Sequence, residues 1–255
     1  MISLQGLDRL KHIHSKNIVH NRDITPNFLI GLKDPNVIYL IDFGFYRKYR
    51  TSRTGKHIKF KISKKIRGSL KFISLNGNMC YKLSRRDDLE SFGYMLIFLA
   101  TNHLPLDNIK IIEGDVEKAF KEIWKIKHYS APEELCNNLP VEYVEYIKYV
   151  RKLKLEEKSD YNYIKGLFIS VLSKNELWND LMFSWIINKR NKLRRGLRLK
   201  EKSIDFTKRR GGVKNRLYAK IKYSLEKCSE TEQNSTKNVL RYKINVLNNK
   251  ENSNK

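Results

Sequence analysis

The sequence predicts a mainly α-helical fold with small β-hairpins, and three patterns indicate it. Apolar residues recur at helical spacing near the beginning of the chain, from Ile2 to Ile13. Residues 88–101 are apolar on most faces, which is typical of a helix buried at the centre of a domain. Between these helices, turn-forming residues 33–36 separate two apolar stretches, 28–31 and 37–41, as in a hairpin.

The other elements follow in order along the chain. The first helix is expected over residues 1–15 and to end at Lys16-Asn17, because Asn tolerates the left-handed conformation that follows a helix. Residues 18–19 predict a short strand, and the basic stretch 45–67 shows no periodicity, so an extended loop is expected there. Further helices are expected at 116–126, 141–153 and 160–172, the last capped by Asp160. Closing core contacts are expected from Trp178, Phe183, Trp185 and Ile186.

Composition and charge limit the classes of protein to consider. The chain has 255 residues, of which 40% are hydrophobic and 11% aromatic, so it can bury a core and is not disordered overall. The formal net charge is +25, to which residues 188–255 contribute +15 through 21 Lys+Arg and 6 Asp+Glu. This charge favours anionic partners such as acidic or phosphorylated peptides, nucleic acid or an anionic membrane surface. An ordinary solvated surface in a lysine-rich chain accounts for the charge equally well.

The cysteines and the hydropathy pattern indicate where the protein works. Cys80, Cys136 and Cys228 show no paired spacing, which suits a reducing compartment. The longest apolar run, residues 94–100, is far shorter than the roughly 20 residues that span a bilayer. No signal peptide opens the sequence. We therefore expect a cytoplasmic or nuclear monomer without a transmembrane segment.

Three sequence motifs indicate which reaction the protein is expected to carry out. The first is His20-Asn21-Arg22-Asp23-Ile24-Thr25-Pro26-Asn27, and the second, Asp42-Phe43-Gly44, follows an apolar strand. Taken alone, the second motif is equally typical of an ordinary turn that closes a strand, because Asp and Gly are common turn residues. The third, residues 84–94, reads Ser-Arg-Arg-Asp-Asp-Leu-Glu-Ser-Phe-Gly-Tyr. In this order, the motifs are typical of the magnesium and phosphate end of a protein kinase.

The third motif closely resembles the casein kinase I family of Ser/Thr protein kinases, and the resemblance extends from about residue 10 to 187. Residues 68–76, Gly-Ser-Leu-Lys-Phe-Ile-Ser-Leu-Asn, are similar to the family's Gly-Thr-Ala-Arg-Tyr-Ala-Ser-Ile-Asn. The family and this chain share the same departure from the usual kinase Ala-Pro-Glu. Smaller matches are Ile13-His14-Ser15-Lys16-Asn17, Lys48-Tyr49-Arg50, Arg53-Thr54, His57-Ile58, Leu104-Pro105 and Asp160-Tyr161.

The resemblance implies a protein-kinase C-lobe over residues 1–187, with the helices named αE to αI in kinases and small hairpins at the catalytic loop and the Asp-Phe-Gly strand. Residues 188–255 are expected to form a basic, largely disordered tail, which has the charge to contact nucleic acid or an anionic surface. No glycine-rich loop or Val-Ala-Ile-Lys-like strand precedes the catalytic loop, so the N-lobe is expected to be absent.

The resemblance also assigns catalytic and cofactor-binding roles, with ATP and Mg²⁺ as the implied cofactors. Asp23 is the expected catalytic base, and the hydroxyl of Ser69 stands where the family's Thr bridges to that aspartate. Asn27 and Asp42 are the expected magnesium ligands, since both offer hard oxygen atoms. Gly44, which completes the cofactor site, is expected to let the chain turn sharply behind the metal.

Substrate-binding and structural roles follow from the same resemblance. Lys71 stands in the substrate-side loop, where a basic group recognises acidic or pre-phosphorylated protein substrates. His20 and Arg22 are expected to make structural contacts in the loop, and Asp88 to accept backbone N–H groups from it. A mobile basic loop without a specific ligand is the alternative for the other basic residues nearby, which are Arg50, Arg53, Lys56, Lys59, Lys61, Lys64, Lys65 and Arg67.

The catalytic loop departs from the family pattern. Asn21 is inserted, Asp23 and Asn27 are one residue closer than in the family, and Thr25 replaces the lysine that neutralises the transferred phosphate. One residue displaces an atom by about 3.5 Å, whereas catalysis is sensitive to about 1 Å. We therefore expect an impaired or truncated kinase. The alternatives are a non-catalytic pseudokinase module that binds acidic or phosphorylated partners through its basic face, and a nucleic-acid arm formed by the tail.

Overall fold

Helices predominate in the computed structural model, which describes residues 1–21, 24–62, 71–106 and 116–188 together with 191, 192 and 195. Two small two-stranded antiparallel sheets accompany the helices, in agreement with the mainly α fold expected from the sequence. Within the described residues, no helix is both long and apolar enough to cross a membrane. The helices are α1 Ile2–Ser15, α2 Leu75–Asn78, α3 Arg85–Thr101, α4 Val116–Tyr129, α5 Pro132–Leu135, α6 Val141–Lys152 and α7 Tyr161–Lys174, and the strands are β1 Ile18–Val19, β2 Phe28–Ile30, β3 Ile38–Leu40 and β4 Arg47–Lys48.

The first of two compact units comprises Met1–Phe28 and Tyr39–Trp178 and is organised around α3. Nearly every residue in the first four turns of α3 is buried, and α1, α2 and α6 pack against it. Gly93 permits a close approach of α6, because a Cβ atom there would lie 2.7 Å from the ring of Tyr146. The buried central helix expected from the sequence is therefore present.

Side chains and backbone conformation mark the ends of the helices. At the start of α3, the Ser84 N–H donates to Asp87 Oδ2 over 2.7 Å, and at its end Asn102 takes the left-handed conformation with φ 57°. At the start of α7, the Asp160 carboxylate accepts two backbone N–H groups, each over 2.9 Å, as its predicted capping role requires. Asn17 follows α1 with φ 60°, which agrees with the predicted end of that helix.

The second compact unit contains Leu29–Ile38 and the described part of Asn179–Lys255. The rings of Phe183 and Trp185 stack with centroids 4.3 Å apart, and Trp185 Nε1–H donates to the Pro35 carbonyl over 2.9 Å. Phe183 and Ile186 are buried, as expected.

Trp178 does not contribute to a core, and that expectation is wrong. Its side chain is 83% exposed. It lies beyond the end of α7 at Lys174, so that helix does not cover the ring. An apolar side chain at the surface is ordinary, since most of a folded protein's accessible surface remains apolar.

The stretch expected to be an extended loop contains a strand and a second hairpin. β4 pairs antiparallel with β1, matching Ile18 with Lys48 and Val19 with Arg47. After β4, an antiparallel bridge joins Arg50 to His57. We call residues 49–58 the basic hairpin. The pairing of Arg47 with Val19 of β1, 28 residues earlier, is a long-range contact that the aperiodic local sequence does not signal.

Candidate functional site

The carboxylate of Asp88 lies at the centre of the candidate site, buried in the first turn of α3. Its Oδ2 accepts the His20 backbone N–H over 2.7 Å, and its Oδ1 accepts the Asn21 N–H over 3.1 Å. These are hydrogen bonds of the kind that the resemblance implied for Asp88. A charged acceptor makes them stronger than bonds between neutral groups, so α3 holds the start of the loop in place.

His14 extends this network to α1 and α7. Its Nε2 lies 2.9 Å from Asp88 Oδ2, and its Nδ1 lies 2.6 Å from the Tyr161 hydroxyl. A carboxylate can only accept, so Nε2 donates to Asp88, and when the ring is neutral Nδ1 accepts from the Tyr161 hydroxyl. Burial raises the pKa of Tyr161, which keeps its hydroxyl protonated as a donor. The loop, α3, α1 and α7 are thus joined by one buried chain of hydrogen bonds.

Asn21, which is an insertion relative to the family that the sequence resembles, makes two hydrogen bonds that hold the loop. It is buried and takes the left-handed conformation with φ 63°, which Asn tolerates better than most residues. In addition to its backbone bond to Asp88, its Nδ2 donates to the Phe45 carbonyl over 3.0 Å. The inserted residue therefore ties the loop to the segment that follows Asp42-Phe43-Gly44.

His20 links the loop to the strand that precedes Asp42. Its Nε2 lies 3.1 Å from the Ile41 carbonyl, which can only accept, so that nitrogen donates. The His20 ring also meets the Phe43 ring edge-on, with centroids 5.5 Å apart. The Ile41 N–H in turn donates to the Asn27 carbonyl over 2.9 Å. The two segments that carry the expected magnesium ligands are therefore bonded to each other.

The chain bends at two places in the second motif. Asp42 has φ 60° and is exposed, and its Oδ1 accepts the Gly44 N–H over 3.2 Å. Gly44 lies in a turn, as expected, and the Tyr46 N–H closes that turn by donating to the Phe43 carbonyl over 3.1 Å, although Gly44 itself does not take a left-handed conformation. A Cβ atom at position 44 would lie 3.2 Å from Asp42 Oδ1. Glycine therefore keeps space beside the carboxylate.

Asn27 and Asp42, the expected magnesium ligands, both carry oxygen atoms of the kind that Mg²⁺ binds. Asn27 is buried in the turn Thr25–Asn27, whereas the carboxylate of Asp42 is exposed. No group of three or more His, Cys, Asp or Glu residues in the described ranges is placed to hold a metal ion. Mg²⁺ is commonly held by one or two carboxylates together with water and substrate phosphates, so a sparse oxygen set is compatible with it.

Two positions bear on the charge expected at the site. Thr25, which stands where the resembling family has a lysine, is fully buried. Lys71 Nζ lies 4.1 Å from the centroid of the Phe98 ring and 5.7 Å from that of Phe72. An ammonium group over an aromatic face is attracted by the ring, so Lys71 is partly engaged by its own protein.

Three predicted site residues, Arg22, Asp23 and Ser69, lie outside the described residues. The predicted tail lies outside them as well, apart from a few positions. Of the predicted residues that are described, the structure brings His20 and Asp88 into direct contact, and the segments of Asn27 and Asp42 next to each other.

Sequence reasoning missed two buried charged groups near the site. Lys127 on α4 is fully buried, and its Nζ donates to the Ile73 carbonyl over 2.7 Å. Asp87 accepts the Ser74 hydroxyl over 3.0 Å and the Asn76 amide over 2.9 Å, and burial raises the pKa of Asp87 to about 6. Asp87 stands three residues after Ser84, the spacing of a capping box, and this signal was available in the sequence.

His14 and Asn21 were also missed, although each had a local signal. His14 directly follows the apolar position Ile13 on α1, and an Asn between two structured segments is a candidate for a left-handed residue. Neither signal indicates which residue His14 or Asn21 would contact.

No protein-family model matches this chain.

Proposed function

We propose that this protein is a divergent Ser/Thr kinase of the casein kinase I type, which transfers a phosphoryl group from ATP to Ser or Thr in acidic or pre-phosphorylated proteins. The observation that supports it best is the pair of hydrogen bonds from the His20 and Asn21 amides to the buried Asp88 carboxylate. Asp23 follows this anchor by two residues. Phosphoryl transfer depends on a base held in position, and a loop fixed beside that base meets this need.

The residues take the following roles in this proposal. Asp23 accepts or orients the proton of the substrate hydroxyl, and the hydroxyl of Ser69 steadies Asp23. The oxygens of Asn27 and Asp42 hold Mg²⁺, and bound ATP supplies the phosphoryl group. The hydrogen bond from Ile41 N–H to the Asn27 carbonyl keeps the two ligand segments in register.

Acidic substrates are proposed because of the charge beside this site. Lys48, Arg50, Arg53 and Lys56 are exposed, and Lys71 is half-buried. Exposed cations attract carboxylate and phosphate groups and raise the rate of encounter with acidic substrates. Lys71 remains available at the cost of leaving the Phe98 ring.

Phosphate transfer to an acidic Ser-containing peptide tests the proposal. With Mg²⁺ and ATP, the full chain is expected to phosphorylate the peptide, and Asp42→Ala to abolish transfer because a metal ligand is lost. Asp34→Ala is the matched control, since Asp34 is an exposed turn residue outside the site. The proposal fails if the wild-type chain transfers no phosphate and its Tm is unchanged by Mg²⁺ and ATP.

A second candidate function is a non-catalytic module that binds acidic or phosphorylated partners. The buried, uncharged Thr25 favours it, because it stands where the family has a phosphate-neutralising lysine. Loss of one such stabilising group typically costs about 3 kcal/mol in the transition state. For this function, Asp42→Ala should leave phosphopeptide binding intact, and Lys71→Glu should weaken it. Equal loss of binding in both variants would contradict it.

A further inference from the structure

One segment of the chain is basic without any acidic residue. Residues 43–86 contain 14 Lys+Arg and no Asp or Glu, whereas the chain's overall frequency of 27 acidic residues in 255 would place about five there. Some surface cations elsewhere are paired with nearby carboxylates, as in the contacts of Lys165 with Asp8 over 3.5 Å and of Lys125 with Glu122 over 2.9 Å. The segment therefore presents positive charge that its own sequence does not compensate.

The basic hairpin in this segment is held in place by hydrogen bonds between its strands and by contacts of Tyr49 with neighbouring helices. Its strands are joined by the bridge from Arg50 to His57 and by the Ile58 N–H bond to the Tyr49 carbonyl over 2.8 Å. Tyr49 is buried, and its hydroxyl donates to the His14 carbonyl on α1 over 2.7 Å. The guanidinium of Arg85 lies 4.5 Å from the centroid of the Tyr49 ring. These contacts hold the exposed cations of the hairpin in a defined position.

Exposed aromatic rings flank the hairpin on both sides. Phe45 is 42% exposed, Tyr46 is 53% exposed and Phe60 is 55% exposed. Each lies next to, or two residues from, a lysine or arginine in the sequence. The Phe60 ring meets the Tyr81 ring edge-on with centroids 4.9 Å apart, which orients it while leaving much of its surface accessible. Both aromatic stretches leave from the open end of the hairpin, since residues 49 and 58 are paired there.

We propose that the basic hairpin and its flanking aromatic rings form a binding surface for single-stranded nucleic acid. Such a strand offers a line of phosphates and a set of uncovered base faces, which are bound by cations and by aromatic rings respectively. An acidic peptide uses the cations but has no need of three exposed rings. In a duplex the base faces are stacked inside, so the rings favour a single strand. The proposal involves no residue of the tail, and it stands whether or not the protein transfers phosphate.

The charge part of the proposal is tested by salt dependence. The full chain is titrated with a fluorescein-labelled 12-nucleotide oligothymidylate at several salt concentrations. For single strands, the slope of log Kobs against log salt changes by about 0.7 for each phosphate contact. The combined variant Arg50→Ala, Arg53→Ala and Lys56→Ala is therefore expected to reduce the magnitude of the slope by about 2.

Matched variants distinguish this surface from the general charge of the protein. Lys16, Lys154 and Lys158 are exposed lysines outside residues 43–86, and replacing all three by Ala removes the same charge. This control is expected to change the slope by less than about 0.5. Equal changes in the two combined variants, or no change in the hairpin variant, would overturn the proposal.

The stacking part is tested with single rings. Phe60→Leu is expected to weaken binding by about 5-fold or more, since stacking on one aromatic side chain contributes at least that much. Tyr129→Leu removes a ring on α4 that is even more exposed, at 76% against 55% for Phe60, and should leave the affinity unchanged. An undiminished affinity of Phe60→Leu would contradict the stacking role.

Two competitors decide the kind of partner. A duplex of the same length and composition is expected to bind more weakly than the single strand. A phosphorylated acidic peptide should bind without loss on Phe60→Leu. Tighter binding of the duplex would overturn the preference for single strands. A peptide that binds as tightly as the oligonucleotide and is equally weakened by Phe60→Leu would assign the surface to protein substrates.

Discussion

Removal of the Asp88 carboxylate should loosen the candidate loop and lower the stability of the whole first unit. In Asp88→Ala, the buried N–H groups of His20 and Asn21 lose their acceptor, at about 1–3 kcal/mol each. His14 Nε2 also loses its partner. The total should be about 3–5 kcal/mol, which is typical for removing one partner of a buried charged contact. For a domain of this size, it corresponds to a fall in Tm of about 10 °C.

Thermal unfolding followed by circular dichroism measures how much stability Asp88→Ala loses. Hydrogen exchange shows which part of the chain becomes less protected. The amides of His20 and Asn21 should exchange about 100-fold faster in Asp88→Ala, while those in the middle of α3 remain protected. Asp8→Ala is the control, because Asp8 is exposed and its contact with Lys165 is weak. Asp88 does not anchor the loop if Asp88→Ala lowers Tm no more than Asp8→Ala, or if exchange at the His20 and Asn21 amides is unchanged.

A double-mutant cycle separates the contribution of His14 from that of the loop. His14→Ala alone leaves the bonds from His20 and Asn21 to Asp88 in place. Since His14 and Asp88 are in direct contact, their coupling should be about 0.5–3 kcal/mol. Strict additivity of the two variants would show that the histidine does not contribute to the hold of Asp88 on the loop.

Three other substitutions test neighbouring contacts. Because burial raises the folded-state pKa of Asp87 from 3.8 to about 6, the wild type should lose on the order of 3 kcal/mol relative to Asp87→Asn as pH rises from about 4 to 6. Parallel Tm profiles over this range would contradict that shift. Gly93→Ala should lower stability by about 1–3 kcal/mol in urea unfolding, because its methyl group would lie 2.7 Å from the Tyr146 ring. Lys127→Met should cost about 1–3 kcal/mol by the same assay, because the Ile73 carbonyl loses its buried donor; an unchanged midpoint would show that this bond is not needed.

The parts of the fold that the sequence predicted are those with a local cause. The apolar run of α3 and the capping residue Asp160 of α7 each lie within the element that they define. The same is true of Asn17, whose left-handed conformation ends α1. Helical periodicity and caps depend on residues three or four positions apart, so one sequence is enough to locate them.

The contacts that build the site depend on residues far apart in the chain. His14 meets Asp88 across 74 positions, and Tyr161 meets His14 across 147. A histidine on an apolar helix face has several possible partners, and periodicity does not choose among them. The pairing of β4 with β1 was missed for the same reason. Asp88 was the exception, because the resemblance supplied its partner as well as its position.

The support of the candidate loop and the chemistry of the loop are distinct features of this chain. The anchors are intact, since Asp88 holds His20 and Asn21, and His20 reaches the Ile41 carbonyl. Residues 20–27, which contain the departures from the pattern of the family that the sequence resembles, lie between these anchors and Asn27. Asn21 contributes to the support, because its side chain adds a bond to the Phe45 carbonyl. The backbone at the start of the loop is therefore held by contacts that do not depend on the identity of Thr25, so a substitution at Thr25 can change the chemistry of the loop without releasing these anchors.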